Sequence, residues 1–146
     1  MKIKKVNRYY CEYCKKSGCS AYHIQKHEKS CTVNPGRICN MCEIMGNGKH
    51  DLNILKDLLP DTKDYFLIYG WAHYTETCGG GEQIFNPYFK EDLERAMVTL
   101  KREAENCPMC ILSALKQKNI SCWVAGFEYT NELKSVWIDI NNSDRE

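Results

Sequence analysis

The stretch YYCEYCKKSGCSAYHIQKHEKSC, residues 9–31, holds Cys11, Cys14, His27 and Cys31 at the spacing C-x2-C-x12-H-x3-C. Two cysteines separated by two residues lie on one tight turn, and two residues four apart in a helix, such as His27 and Cys31, share one face. These side chains therefore predict one tetrahedral zinc site that folds a short hairpin and a helix around the metal. His23 is the alternative ligand because it also lies four residues from His27, but the twelve-residue gap favours His27.

The segment Tyr9–Cys31 resembles a ββα zinc finger in which the last histidine is replaced by cysteine. The resemblance implies a small apolar core that contains Tyr9 and Ile24. Gly18 departs from the pattern, because this finger type usually carries an aromatic core residue at that position. Three tyrosines are candidates to replace that residue: Tyr10, Tyr13 and Tyr22. The alternative, a polar helix with incidental thiols, is disfavoured by four ligands at these intervals.

Two further Cys-x-x-Cys pairs lie far apart in the chain, in Cys39-Asn40-Met41-Cys42 and in Cys107-Pro108-Met109-Cys110. Pairs of this form at long separation are typical of a four-thiolate structural zinc site, so we predict that the two pairs share one ion. Pro108 favours a helix that begins directly after Cys107. Rival ligands for this site are His50, His73, Cys78 and Cys122. Buried thiols at a helix start and a redox dithiol are the alternative interpretations of the downstream pair.

Cysteine usage also bears on the compartment. Ten cysteines in 146 residues would indicate a disulfide scaffold in a secreted chain. The first residues, MKIKK, are charged, and no apolar segment of signal-peptide or membrane-spanning length follows them. The sequence therefore predicts a cytoplasmic protein without a membrane partner, in which reduced thiols bind two zinc ions.

Apolar residues recur at helical spacing through most of the remaining sequence. We predict a mainly α fold with small β content, in which a ββα-type zinc-finger module (1–35) is joined to a helical domain (36–146) that the second zinc holds together. Asn-Pro-Gly at 34–36 ends the first module. The predicted helices cover residues 50–59, a segment that starts at Asn86 and Pro87, residues 111–117, and a segment that starts at Thr130 or Asn131.

Each predicted helix has an apolar stripe that we expect to face the core and not a ligand. The stripes consist of Leu52, Leu55, Leu58 and Leu59; of Phe89, Leu93, Ala96, Met97 and Leu100; of Ile111, Leu112 and Leu115; and of Leu133, Val136, Trp137 and Ile140. Residues 120–127 are expected to be extended, and residues 65–71 fit either a strand or a helix. The glycines at 79–81 lack the Lys-Ser/Thr ending of a phosphate-binding loop, so no nucleotide or other small-molecule substrate is indicated.

A wider set of motifs resembles a group of small bacterial and bacteriophage proteins of uncharacterised function. The matching residues are Cys14-Lys15-Lys16-Ser17-Gly18, His27-Glu28, Cys31-Thr32, Asn34-Pro35, Arg37-x-Cys39-x-Met41-Cys42, Cys107-Pro108-x-Cys110-Ile111-Leu112 and the C-terminal helix with Trp137. The resemblance covers about two thirds of the chain, and it implies that residues 60–86 are an insertion in the second domain. It also implies a zinc-bound protein of the cytoplasm, which for a phage protein is the host cytoplasm, and it brings no known activity.

The formal net charge of +1 conceals two ends of opposite sign. Residues 1–50 carry ten Lys and Arg against three Glu, a net +7, whereas residues 51–146 carry ten against sixteen Asp and Glu, a net −6. A basic end that bears a zinc finger is typical of a nucleic-acid contact, and a solvated charged surface is the alternative.

A finger of this type reads DNA bases from helix positions −1, 2, 3 and 6. With His27 as position 7, these positions are Ser20, Tyr22, His23 and Lys26. Phosphate contacts are expected from basic residues of the hairpin, the helix end and the N-terminal arm: Lys15, Lys16, Lys29, Lys2, Lys4, Lys5 and Arg8. The sequence therefore predicts a zinc protein that is not an enzyme and binds nucleic acid, DNA in particular.

Two other functions fit the sequence. In the first, both zinc sites are structural and the acidic domain binds a protein, such as a host factor or a defence component that a phage protein inhibits. In the second, His50, Asp51, Asn53 or His73 serves a metal-dependent nuclease, although these residues form no recognisable nuclease motif.

Overall fold

The computed structural model describes residues 1, 3–64, 66–67, 84–85 and 87–143. The elements follow each other in the order β1 (Tyr9–Tyr10), β2 (Ser17–Gly18), α1 (Ala21–Ser30), α2 (Asn40–Met45), α3 (Leu52–Asp57), a 3-10 turn (Thr62–Asp64), β3 (Phe66–Leu67), β4 (Ile84–Phe85), α4 (Pro87–Glu103), α5 (Pro108–Gln117) and α6 (Tyr129–Ser143). Strands β1 and β2 form one antiparallel sheet, and β3 and β4 form another. The predicted mainly α fold with small β content is confirmed.

The N-terminal hairpin and α1 pack around the side chain of Ile24, which is buried together with Cys11 and Cys31. Helix α1 begins at Ala21 because Ser20 caps it: the Ser20 Oγ accepts a hydrogen bond from the backbone N–H of the third helical residue at 3.4 Å. The first module is therefore two short strands followed by a ten-residue helix.

The aromatic part of the core predicted for this module is wrong. Tyr9 is 39% exposed, and the three candidates to replace an aromatic residue at Gly18 are also exposed: Tyr10, Tyr13 and Tyr22. The small core of this module is instead formed by Ile24 with Cys11 and Cys31. A Cβ atom at Gly18 would lie 3.6 Å from Ile24 Cδ1, so the aliphatic side chain of Ile24 packs directly against β2.

The main core lies between α3, α4 and α5. Helix α5 packs against both α3 and α6. The buried apolar side chains of this core include Leu52, Leu55, Leu59, Phe89, Leu93, Met97, Leu100, Ile111 and Leu115, and Leu58, Ala96 and Leu112 pack at its edge. These residues confirm the apolar stripes predicted for the three helices.

Helix α3 begins two residues later than predicted, whereas α5 begins directly after Cys107, as the position of Pro108 predicts. Asp51 Oδ1 accepts a hydrogen bond from the Asn53 N–H at 2.8 Å, so α3 begins at Leu52 and not at residue 50. Helix α5 begins at Pro108, with Cys107 as its N-cap. Proline at the first helical position lacks only an N–H that would have no partner within the helix.

Helices α2 and α6 also differ from the prediction. Helix α2 is six residues long and has no counterpart among the predicted helices. Helix α6 begins one residue before the earlier of its two predicted starts. Val136 of α6 is buried, but Trp137 is 42% exposed. The predicted apolar stripe of α6 is therefore wrong at Trp137, because only one side of this helix packs against α5.

Residues 120–127 are not extended, so that prediction is wrong. Their backbone forms turns, in which the Phe127 N–H donates to Cys122 O at 2.9 Å. Gly126 has a φ of +61°, a conformation that glycine adopts without strain. Ile120 and Phe127 are both buried. The segment is therefore held to the core by one buried apolar side chain at each end, Ile120 and Phe127.

Hydrogen bonds from buried and half-buried side chains join the N-terminal module to α5. Arg37 is buried, and its Nη1 donates to Met109 O at 2.9 Å and to Ser113 Oγ. Gln117 Nε2 donates to Thr32 O at 3.1 Å. The turn that follows α1 is therefore fixed to the helix that carries the downstream cysteine pair.

Several predictions are not decided by the described residues. The domain boundary between residues 35 and 36 stays a prediction. Most of the insertion predicted for residues 60–86 lies outside the described residues, as does most of the stretch 65–71. The same is true of the helix cap predicted at Asn86 and of the glycines at 79–81.

Candidate metal centres

The first predicted ligand set is brought together by the hairpin and α1. The sulfur atoms of Cys11, Cys14 and Cys31 and a ring nitrogen of His27 all lie within 4.8 Å of one another. His27 Nε2 lies 3.2 Å from Cys14 Sγ. Cys11 and Cys31 are buried, whereas Cys14 and His27 are half-buried. The group is therefore closed on the side of the small core and partly open on the other side.

Backbone hydrogen bonds hold the Cys11–Cys14 turn in place. The Cys11 N–H donates to Lys16 O at 2.9 Å, which closes the turn. The Lys16 N–H points back and donates to Cys14 Sγ at 3.4 Å. The two hydrogen bonds together fix the backbone of this turn.

The end of α1 places Cys31. Cys31 is the C-cap of α1 and has left the helical conformation, and its N–H donates to Glu28 O at 3.3 Å. Asn34 Nδ2 donates to the same carbonyl at 2.7 Å. Glu28 also reaches across to the hairpin, because its Oε1 accepts a hydrogen bond from the Glu12 N–H at 2.9 Å. Glu28 therefore connects the hairpin cysteines to the end of α1, where Cys31 lies.

The second predicted ligand set lies where α2 meets α5. The four sulfur atoms of Cys39, Cys42, Cys107 and Cys110 lie within 4.8 Å of one another. The Sγ–Sγ distance is 3.6 Å between Cys39 and Cys107 and 3.3 Å between Cys42 and Cys110. Cys39 is half-buried, and the other three are buried.

The two Cys-x-x-Cys pairs have the same position relative to a helix. Cys39 and Cys107 are the N-caps of α2 and α5, and Cys42 and Cys110 lie in the first turns of the same helices. The four sulfurs face each other at the N-terminal ends of the two helices.

The donor sets fit zinc. Three thiolates with one imidazole, and four thiolates, are both zinc ligand sets. Zn–S bonds of about 2.3 Å in a tetrahedron place neighbouring sulfurs about 3.8 Å apart, close to the two Sγ–Sγ distances of 3.6 and 3.3 Å. The two clusters are thus consistent with the two zinc ions predicted from the sequence. Cys11, Cys14, His27 and Cys31 would hold one ion, and Cys39, Cys42, Cys107 and Cys110 the other.

Crowding of the four sulfurs governs their charge. Hydrogen bonding from Cys107 lowers the pKa of Cys39 far below its ordinary value. Burial raises the pKa of Cys42 to about 12, and hydrogen bonding with Cys107 raises the pKa of Cys110. Burial and the neighbouring sulfurs thus oppose ionisation of Cys42 and Cys110. A divalent cation would offset this effect, because ligand thiols lose their protons to bind it.

The rival ligands stand outside both clusters where the structure describes them. His23 is exposed on α1, and its ring contacts that of Tyr22. Cys122 packs at the edge of the main core. His50 contacts a ligand of the second cluster, because its Nδ1 lies 3.2 Å from Cys42 Sγ. His73 and Cys78 lie outside the described residues.

Sequence reasoning missed two residues near the second cluster. Arg37 bonds the carbonyl of Met109, which lies between the two downstream cysteines. Glu105 Oε2 lies 3.1 Å from His50 Nε2. The charge of Arg37 directly after an Asn-Pro-Gly turn is at most a weak signal, and nothing in the sequence singles out Glu105.

The residues predicted to contact nucleic acid are exposed. They are Lys4, Lys5 and Arg8 of the arm, Lys15 and Lys16 of the hairpin, and Ser20, Tyr22, His23 and Lys26 at the start and on the first turns of α1. Lys29 is also exposed, whereas Lys2 lies outside the described residues. Ile24 and His27 of the same helix are turned to the core and to the first ligand cluster.

The candidate nuclease residues have structural partners. Asp51 caps α3 through the backbone of Asn53, and His50 lies between Cys42 and Glu105. In the part of the chain that the structure describes, groups with metal-ligand geometry are confined to the two cysteine-rich clusters. His73 lies outside that part.

Comparisons of the chain with protein families, with curated proteins and with solved structures found no match. The resemblances to a ββα zinc finger and to a bacterial and bacteriophage group therefore stay predictions. Among the described residues, no helix is both long enough and apolar enough to cross a membrane.

Two zinc ions per chain are expected in protein purified under reducing conditions, because the eight ligands form two separate clusters. Elemental analysis of the wild-type chain and of a Cys110→Ser variant checks this expectation. The variant should lose about one ion and keep the other. A wild-type value near one ion per chain would contradict the second site.

The two clusters should differ in how much of the folded structure depends on each of them. Cys14→Ser should remove protection from hydrogen exchange only in β1, β2 and α1, since its cluster closes within residues 11–31. Cys110→Ser should reduce protection in α3, α4 and α5, because its cluster joins parts of the chain 68 positions apart. Equal loss of protection throughout the chain in both variants would contradict two separate units.

Proposed function

We propose that this protein is a zinc-binding nucleic-acid-binding protein that contacts its target, DNA in particular, through its N-terminal module, a Cys-Cys-His-Cys variant of the ββα zinc finger. The observation that carries the proposal is the concentration of exposed basic residues on this small metal-binding module. Residues 1–50 have a net charge of +7, whereas the rest of the chain has a net charge of −6. Phosphate attraction is therefore concentrated at one end of the chain.

The basic residues of the module are available for phosphates. Among the described residues, the cations of the arm, of the hairpin and of α1 have no salt-bridge partner. A cation without such a partner can exchange its solvent counterion for a phosphate group, and the released counterion favours binding.

The exposed face of α1 supports base contacts. Tyr22, His23 and Lys26 lie on the first turns of the helix, with Ser20 at its cap. Lys and His can donate hydrogen bonds to purine acceptors in the major groove, and a tyrosine ring can contact a thymine methyl group. Ile24 and His27 of the same helix are turned to the small core and to the metal cluster and so hold α1 in place.

The tyrosines that are absent from the core add a second type of contact. Tyr9, Tyr10, Tyr13 and Tyr22 are 39% to 68% exposed, and all four belong to the basic module. Aromatic rings beside basic groups can stack on unpaired bases. The module therefore suits single strands as well as duplex DNA, and the N-terminal arm enlarges the small contact area of a single finger.

Both metal clusters are assigned structural roles, and the protein is assigned no enzymatic activity. Each cluster offers four protein ligands, which complete a tetrahedron and leave no position for water or substrate. Cytoplasmic location follows from the same proposal, because eight cysteine and histidine ligands need reduced thiols.

The second candidate function is binding of a protein partner by the acidic body, residues 51–146. The observation that favours it is the exposure of two tryptophans in that body, since Trp123 is 86% and Trp137 is 42% exposed. Tryptophan is enriched in the centres of protein interfaces. A host factor or a defence component would be such a partner, and the basic module would then only stabilise the N-terminus.

Substitution of lysines should separate phosphate contacts from base contacts. Lys4→Ala with Lys5→Ala should weaken binding to all sequences alike and reduce the slope of log affinity against log salt by about two, since each lost phosphate contact removes about 0.9. Lys26→Ala should change the relative affinities for different sequences. Fluorescence anisotropy of the zinc-loaded chain with duplex and single-stranded probes, at low and moderate salt, measures both effects.

A matched control for the arm variant is Lys90→Ala with Lys134→Ala, because both lysines are exposed on the acidic body. This control should keep the wild-type affinity and salt slope. If the zinc-loaded chain binds no probe at low salt, nucleic-acid binding is wrong, and the protein-partner function takes its place.

A further inference from the structure

His50 contacts the second ligand cluster without belonging to it. Its Nδ1 lies 3.2 Å from Cys42 Sγ, and its Nε2 lies 3.1 Å from Glu105 Oε2. The His50 side chain is only 10% exposed. A continuous path of contacts thus leads from the carboxylate through the imidazole to the sulfur, and both ring nitrogens have a partner.

Glu105 occupies a backbone position that disfavours glutamate. It follows α4, and its φ of +48° lies in the left-handed region. The Glu105 N–H donates to Arg102 O at 3.0 Å, and the Asn106 N–H donates to Lys101 O at 2.8 Å. This pair of hydrogen bonds is that of a Schellman helix end, in which the left-handed residue is usually glycine and sometimes asparagine.

Two other helices of this chain end in the same way with the expected residues. Gly46 follows α2 with a φ of +71°, and Asn119 lies beyond the end of α5 with a φ of +56°. A glutamate is strained at such a position relative to glycine. Strain that persists in a fold points to a role for the residue that bears it, and the Glu105 carboxylate has one specific contact that can supply the role.

This contact lies where the two halves of the second cluster meet. Glu105 precedes Cys107 by two residues, and its carbonyl accepts a hydrogen bond from Asn47 Nδ2 at 3.1 Å. Cys42 and His50 line the same open groove. The pair of His50 and Glu105 therefore connects the upstream cysteine turn to the chain that leads into the downstream one.

We propose that Glu105 and His50 are positioning residues of the second metal cluster: with a proton on each ring nitrogen, His50 donates from Nε2 to the Glu105 carboxylate, which fixes the ring, and from Nδ1 to the Cys42 thiolate. A hydrogen bond to the thiolate stabilises the charged sulfur that binds the metal. A carboxylate behind a histidine fixes the orientation of the ring, as outer partners do at metal sites. The effect is slower loss of metal from the second cluster. This inference rests on metal binding there and is independent of nucleic-acid binding.

Release of Co²⁺ to a chelator tests the proposal with the full chain. A cluster with three sulfurs and one nitrogen and a cluster with four sulfurs give Co²⁺ different visible spectra, so each site is followed separately. His50→Ala and Glu105→Gly should release Co²⁺ from the second cluster about 10 to 100 times faster than the wild-type chain. Release from the first cluster should not change.

The Glu105→Gly variant separates positioning from a merely structural role. Glycine relieves the left-handed backbone and removes the carboxylate in the same substitution. The thermal midpoint of this variant, measured in saturating Co²⁺, should stay at or above that of the wild-type chain although its release is faster. A merely structural role predicts that release is equal or slower from the less strained backbone.

Two glutamine variants complete the test. Glu105→Gln should keep most of the wild-type release rate, since its amide oxygen can still accept a hydrogen bond from the ring. Glu103→Gln is the matched control, because that carboxylate is paired with Arg102 at 3.1 Å and not with His50. Unchanged release in His50→Ala and Glu105→Gly would overturn the proposal, as would equal acceleration at both clusters. If His50→Ala does not fold, Glu105→Gly alone decides.

Discussion

The helical body depends on one long-range contact, the meeting of the two Cys-x-x-Cys turns. The sulfurs of Cys42 and Cys110 approach each other across 68 positions of the chain. Closing so long a loop costs conformational entropy, and a metal that binds only the closed form offsets this cost. The same cysteines belong to the buried cluster of Leu100 and Ile111. The core of helices α3, α4 and α5 therefore packs directly against the cysteines that the metal would hold in place.

The eight ligand positions could be predicted because they are local patterns. A Cys-x-x-Cys turn and a pair of residues four apart in a helix have the same geometry in most contexts, and the structure brings the same eight residues together in two clusters. Burial of Tyr9 is a different kind of feature. It depends on which side chains fill the space between the hairpin and α1, and these are Ile24, Cys11 and Cys31. Trp137 is similar, since its exposure depends on which side of α6 meets α5.

The second cluster also shows that the spacing of residues in the sequence does not reveal the role of every residue near a metal site. His50 was a reasonable rival ligand by sequence, and the structure places it in contact with Cys42 but outside the ligand group. The sequence does not single out Glu105, because a left-handed residue at a helix end is usually glycine or asparagine. Its role becomes visible only when its backbone angle and its contact with His50 are considered together.

Arg37 makes the two metal clusters parts of one structure. It follows the turn that ends the N-terminal module, and its guanidinium bonds Met109 O inside the downstream cysteine turn. Gln117 of the same helix bonds the carbonyl of Thr32, next to the ligand Cys31. Hydrogen bonds from Arg37 and Gln117 therefore link the segment that leaves the first ligand cluster to the helix that carries the downstream ligands of the second.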